Sequence, residues 1–439
     1  MLEKLFKLKQ TNTNVQQEII AGLATFMTMS YIIFVQPAVL AICGMDFGAV
    51  MVATCLASAL ATFMMGLLAN YPIALAPAMG HNFFFVYNVC LAMSIPWQVA
   101  LGANFISATI CTFLFLFGFK DEILAAVPDS IKNAIAVGIG LLIAFIGFEW
   151  AGIVVATAGT FVGLGKLTSP PVIISIFGIV FTAVLMVRRV KGAILWGIIA
   201  SALLGLPLGV TKFYGLVSAP PSLAPTLFKL DIARALRADL IVVIFILLFL
   251  DIFDTVGTLI GIGEQAGFIV NGKLPRAKRA LITDGITTLP ATMMGTTTIT
   301  SYIESAAGVA SGGRTGLANM VTGLLFLVSL FFSPLVRMVG GGYEIAKGQI
   351  LYPVTAPALI IVGSLMLGNV TKIKWDDLTE SIPAFLTLIV MPFTFSITEG
   401  IAFGFISYAL LKLVSGRSKE VHWIIYLFAV LFLVRYALL

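Results

Sequence analysis

From its first forty residues to its last, the sequence keeps returning to apolar runs near the length that crosses a bilayer's hydrocarbon core, about 20 residues as a helix. Runs that recur from end to end exclude a soluble domain with one anchor and predict a polytopic membrane bundle. Composition agrees: 60% of the 439 residues are hydrophobic and only 10% are charged, where soluble domains carry about 25% charged residues. Without water in the bilayer core, only helices and closed barrels pair all their backbone amides, and runs of this length are those of helices, where barrel strands need only about 10 residues, so the class is all-α.

Seven candidate spans fall within residues 18–210 and seven more within 239–415, separated by a polar, Pro-rich stretch at 211–238. A tail at 1–17 precedes them, and a tail at 416–439 follows with a short apolar segment, Trp423 to Leu438, whose length leaves open whether it crosses or lies on the surface. An odd number of crossings returns the chain on the opposite face, so two seven-segment halves are inverted repeats. With the N-terminus in the cytoplasm, most Lys and Arg, including Lys4, Lys7, Lys120, Arg188, Lys273, Arg276, Arg279 and Arg417, fall inside, while Lys166, Lys212, Lys229 and Lys347 fall outside. The tail MLEKLFKLKQTNTN is basic and leads into an apolar run without a small-residue cleavage site, so no removable signal is read and the expected location is the cytoplasmic (inner) membrane. The formal charge of +6 is scattered in short groups between apolar segments, which argues against nucleic acid as partner. Cys43, Cys55, Cys90 and Cys111 have no metal-ligand spacing, and no metal or cofactor is expected.

Both halves contain an interrupted segment. Asn70-Tyr71-Pro72-Ile-Ala-Leu-Ala-Pro77 precedes Met79, and Gly295-Thr-Thr-Thr-Ile-Thr-Ser301 precedes Tyr302; Asn82 and Glu304 then occupy matching places half a chain apart. Proline and a β-branched run favour extended backbone over helix. Extended backbone is tolerated at membrane depth only where it pairs or lines a polar cavity. The two stretches are therefore expected to pair as short strands in segments 3 and 10, leaving half-helices whose N-termini face a shared substrate cavity.

Asp251 and Asp254 lie three residues apart in FLDIFDTVGT of the eighth span, on one helical side. Ionised carboxylates cost roughly 2.5 to 3.5 kcal/mol each at membrane depth on insertion scales, so the pair is read either as a hydrogen-bonded network with the threonine-rich stretch or as a protonatable site that also accepts from a planar heterocycle. Ser301-Tyr-Ile-Glu304 spells a capping box, which competes with a ligand role for Glu304. Thr300 and Ser301 close the second extended stretch and join the expected lining. Asn82 reads as a half-helix cap or a ligand amide, His81 as a packed side chain or proton carrier, and Phe83, Phe84 and Phe85 as packing or as a stacking platform. GTFVGLGKLT lacks the first glycine and final Ser/Thr of a phosphate loop, GIGEQAG misses the dinucleotide spacing, and no nucleophile triad is visible, so no enzyme is expected.

The sequence resembles the AzgA-like branch of purine permeases in the nucleobase-ascorbate transporter superfamily. The resemblance spans nearly the whole chain and is carried by FLDIFDTVGTLIGI, TSYIESAAGVASGGRTGL, FFSPL, TAPALI and IPAFLTLIVMPFTFSITEGIAFGFISYALLKL. It implies fourteen segments in two inverted repeats, a substrate-binding core domain, a gate domain built from the later spans of each half, and proton-coupled uptake of hypoxanthine, guanine or adenine. Position by position, it implies base binding by Asp251 and Glu304 with Asn82 as polar partner, a supporting or proton-linked role for Asp254, and proton coupling within the Asp251, Asp254 and Glu304 cluster. Where the family pattern reads APGMGLNAYFAY, this chain reads APAMGHNFFFVY, so Ala78, His81 and Phe83 add bulk beside Asn82. Uracil, xanthine or an inorganic anion such as sulfate on the same architecture is the rival cargo, with an anion disfavoured by the carboxylates. A homodimer is left open.

Overall fold

The structure, a computed structural model, describes residues 2–118, 127–157, 159–237, 240–269, 274–346 and 349–438. Lys120, Lys273 and Lys347 of the charge pattern lie outside them. The chain forms two compact units, one of residues 1–117 and 150–358, the other of residues 118–149 and 359–439.

In chain order the main elements are α1 (Val15–Met29), α2 (Ile32–Ala41), α3 (Phe47–Met64), β1 (Leu75–Pro77), α4 (Met79–Phe83), α5 (Trp97–Phe117), α6 (Asp129–Trp150), β2 (Val154–Thr157), β3 (Phe161–Leu164), α7 (Pro170–Val187) and α8 (Ala193–Gly205). The second half supplies α9 (Ile241–Gln265), α10 (Ala277–Met294), β4 (Ile299–Ser301), α11 (Ala306–Ala310), α12 (Gly316–Ser329), β5 (Tyr343–Ala346), β6 (Gln349–Leu351), α13 (Ala356–Met366), α14 (Leu378–Thr394), α15 (Ile397–Val414) and α16 (Trp423–Leu438). Eight segments of the described residues are long and apolar enough to cross a membrane unaided. The others are the shorter or interrupted segments expected of a fold of seven plus seven inverted segments.

The larger unit is organised around β1 and β4, which pair antiparallel with Leu75 opposite Ser301, Ala76 opposite Thr300 and Pro77 opposite Ile299. The ladder extends at both ends, with Tyr302 N donating to Ala74 O at 2.9 Å and Ala78 N to Thr298 O at 2.8 Å. Threonines from the neighbouring helices bracket the strands. On α3, Thr62 Oγ1 accepts from Leu75 N at 3.0 Å and donates to Leu75 O at 3.1 Å; on α10, Thr288 Oγ1 accepts from Ile299 N at 3.0 Å and donates to Ile299 O at 3.2 Å. Leu75 and Ile299 are each the first residue of their strand, so the repeat recurs at the level of single hydrogen bonds. All strand residues of both β1 and β4 are buried, and this pairing is what makes extended backbone tolerable there.

Small residues let the surrounding helices close. A Cβ on Gly316 would sit 2.0 Å from Gly66 O, and the start of α12 is capped by the fully buried Glu18, which accepts from Arg314 N, Thr315 N and Ala318 N at 2.9, 3.3 and 3.2 Å. α7 and α8 cluster with the larger unit. Gly192 at the entry to α8 packs on Met27 of α1.

In the second unit, α6 and α13 approach through Gly140 and Gly363, whose added Cβ atoms would meet the partner's carbonyl oxygen at 2.9 and 2.4 Å. Gly400 and Gly404 give α15 the same closeness to α14, while Ala134, Val137, Ile373, Ala384 and Leu388 form an apolar core. The buried Lys412 bridges Glu380 at 3.0 Å and Glu420 at 2.8 Å, and Arg417 bridges Asp377 at 2.7 Å. Arg417 holds the Glu420 carboxyl down at about 2, and the Thr379 hydroxyl with Arg417 holds Asp377 below its ordinary range.

Two outcomes follow from these contacts. Thr288→Val leaves the amide and carbonyl of Ile299 without their bracket and should lower stability by about 1 to 3 kcal/mol, read as a fall in melting temperature in detergent. Because Glu420 and Asp377 are depressed when folded, their contribution is complete above the unfolded Glu value of 4.5 and fades as pH falls toward 2. Arg417→Ala should flatten that acid dependence in pH-jump melting curves.

Candidate functional site

The strand crossing sets the site. α9 passes the β4 end of the crossing and brings in Asp251 and Asp254, which at 100° per residue stand about 60° apart around the helix. That offset separates their surroundings. Asp251 is 1% exposed, and among the described residues neither carboxyl oxygen has a nitrogen or oxygen donor; the Cys111 thiol is the polar group beside it. Asp254 is exposed and lies within electrostatic range of Glu304.

Glu304 follows β4 at the start of the second half-helix and is half-buried. Its Oε1 accepts from Tyr31 Oη at 2.7 Å, and its backbone oxygen from Thr28 Oγ1 at 3.2 Å. The capping expectation does not hold. Ser301 Oγ donates at 3.0 Å to Asp284 Oδ2 and the residue at the N-cap, Tyr302, makes no side-chain cap, because strand pairing with Leu75 turns Ser301 away from the helix start.

Behind these two carboxylates stands a buried polar frame. Asp284 of α10, fully buried, accepts from Thr255 at 2.8 Å as well as from Ser301. Thr255 has one hydroxyl hydrogen and spends it on Asp284, so in the 3.0 Å contact with Thr300 it is Thr300 that donates. This chain of bonds links the residue next to Asp254 with the strand leading to Glu304. On the other side, the fully buried Asn82 donates through Nδ2 to Gln36 Oε1 and accepts at Oδ1 from Thr297 Oγ1. Gln36 Nε2 then reaches Thr296 and Thr297 at 3.0 and 3.1 Å. Asn82 is not a cap and ties the first half-helix to the strand of the second.

Sorted by access, Asp254 and Glu304 face open space, and Asp251, Asn82, Thr300 and Ser301 are buried around them. His81 is packed, its Nε2 3.2 Å from Leu247 O, and Phe83, Phe84 and Phe85 are at most 1% exposed, so they serve packing and offer no free face for stacking. The sequence reading missed Asp284, Gln36 and Tyr31. Asp284 and Gln36 carried a usable signal, a single acid within ALITDGITTL and a single amide within YIIFVQPAVL, by the same membrane-depth cost that singled out Asp251. Tyr31 carried none, since a tyrosine in an apolar run is ordinary.

With this geometry in hand, known proteins fall into line. The sequence profile of the xanthine/uracil type described as "Permease family" matches residues 16–403. The adenine permease AdeP of Escherichia coli is 45% identical over 99% of this chain and 96% of its own length, and the guanine/hypoxanthine permease PbuG of Bacillus subtilis is 42% identical over the full length of both. Among solved structures, the transmembrane domain of the cyanobacterial bicarbonate transporter BicA has the same fold, with a TM-score of 0.62 at 12% identity, covering 89% of this chain and 97% of that domain.

Tyr31→Phe removes the donor to Glu304 and leaves the ring. A hydrogen bond to a charged group is worth about 1.5 to 3 kcal/mol, so the apparent KM for the transported solute should rise roughly tenfold or more with unchanged membrane insertion, as read by uptake kinetics.

Proposed function

Since the chain belongs to the nucleobase-ascorbate transporter family of xanthine/uracil-type permeases, we propose that it takes up purine nucleobases such as hypoxanthine, guanine or adenine by symport with protons. The cell's cytoplasmic membrane is its place, with the N-terminus inside, and the repeats comprise residues 18–210 and 239–415 joined by an extracytoplasmic linker at 211–238. It is a transporter and not an enzyme.

The observation that carries this reading is the pair of reachable carboxylates, Asp254 and Glu304, at the crossing of two broken helices. A purine presents ring N–H groups and, in adenine and guanine, an exocyclic amine; two carboxyl acceptors held by one rigid frame match such an edge. Burial supports Asp254 over Asp251 as the base-contacting member of the eighth-span pair, and leaves Asp251 as the proton-linked one. Thr300, Ser301 and Asn82 act by holding the frame. An ionised carboxylate carried through the membrane without proton or partner bears several kcal/mol of desolvation, so the empty-and-charged state is disfavoured and proton and base move together. The BicA neighbour transports bicarbonate, but carboxylates at the mouth of this site repel an anion.

Uptake of radiolabelled hypoxanthine, guanine and adenine by reconstituted vesicles under an imposed pH gradient tests the reading. Asp254→Asn and Glu304→Gln should each reduce uptake at least a hundredfold, and Asp251→Asn should retain exchange of base for base while losing the response to the pH gradient. Wild-type uptake by both Asp254→Asn and Glu304→Gln would overturn the assignment.

A further inference from the structure

The segment after the fourteenth span, α16, is the one whose placement the sequence leaves open, and its contacts with α15 decide it. We infer that α16 is a further membrane crossing, antiparallel to α15, whose outer face is covered by lipid acyl chains.

Contacts run in opposite order along the two helices. The last turn of α15 and its connection to α16 carry the Lys412, Arg417 and Glu420 ion cluster, and Tyr426 Oη donates to Ser418 O at 3.4 Å just beyond it. Further along, Phe428 meets Phe405 with ring centroids 6.3 Å apart, and Tyr436 meets Phe403 at 6.4 Å. At the far end Arg435 pairs with Glu399 at 3.0 Å, and Tyr436 Oη donates to the same carboxylate. Glu399 lies in the first turn of α15, so α16 returns to the end of the membrane from which α15 entered. At 1.5 Å per residue, its 16 residues cover about 24 Å beside about 27 Å for the 18 of α15.

A helix lying in the interface needs a polar face. Trp423 to Val434 has none: Ile425, Ala429 and Phe432 are buried toward the unit, and Leu427, Val430, Leu431, Leu433 and Val434 point outward, each between 44% and 55% exposed. A helix apolar all round is stable in hydrocarbon. Trp423 and Tyr426 at one end and Tyr436 at the other lie where aromatic side chains meet the two headgroup layers.

Cysteine labelling in the full-length chain with its four native cysteines replaced by serine tests the crossing. A membrane-impermeant maleimide should label Ser418→Cys and Ala437→Cys from opposite faces, each at least fivefold better from its own side; labelling of both from the same face would overturn the proposal. The native-cysteine background gives an independent check, since Arg435→Glu should lower the melting temperature and Glu399→Arg in the same chain should restore it, whereas no restoration would contradict the antiparallel docking. A nitroxide at Leu431→Cys distinguishes the occupant. High accessibility to oxygen with low accessibility to a nickel chelate is expected for acyl chains, and low accessibility to both would mean that a protein surface, such as a second copy, covers the face.

Discussion

Extended backbone has no right to exist inside a membrane unless each of its amides is paired, and the structure depends on how that demand is met. β1 and β4 pair with each other, and Thr62 and Thr288 bracket the outer edge of the first residue of each strand. Because the strands run antiparallel, the two repeats meet at a single crossing, and the half-helix that follows each strand starts from the opposite end of it. Asn82 and Glu304 stand in those two half-helices, one at each end of the crossing.

The crossing also separates holding from contacting. Asp284, Thr255, Thr300 and Ser301 form one run of hydrogen bonds, and Asn82, Gln36, Thr296 and Thr297 another. These groups are buried and mutually satisfied, so they fix positions at little cost. Asp254 and Glu304 are the members of the site with access to open space, while Asp251 stays buried with the Cys111 thiol as the polar group beside it.

Much of this could be read before any coordinates. The apolar runs fixed the class, the odd number of segments per half implied inversion, and the prolines at 72 and 77 with the threonines at 296–300 located the strands. What could not be read was orientation around an axis. Asp251 and Asp254 share a helical side by spacing, yet the 60° between them decides which one meets open space, and only packing against α5 and α10 sets that. Ser301 and Glu304 matched a capping pattern because local sequence does not reveal that Ser301 belongs to a strand whose partner is half a chain away. Long-range pairing overrode a local signal. The division into two units was likewise opaque, since α8 meets the larger one through Gly192 on Met27, a close approach that no periodicity announces.

The most direct test of the central claim is a cryo-electron microscopy map of the protein loaded with hypoxanthine or adenine. The account places the base with its N–H edge within hydrogen-bond distance of the Asp254 and Glu304 carboxylates, beside the β1–β4 crossing. A base seated away from both carboxylates, or a map in which Asp254 faces acyl chains, would contradict it.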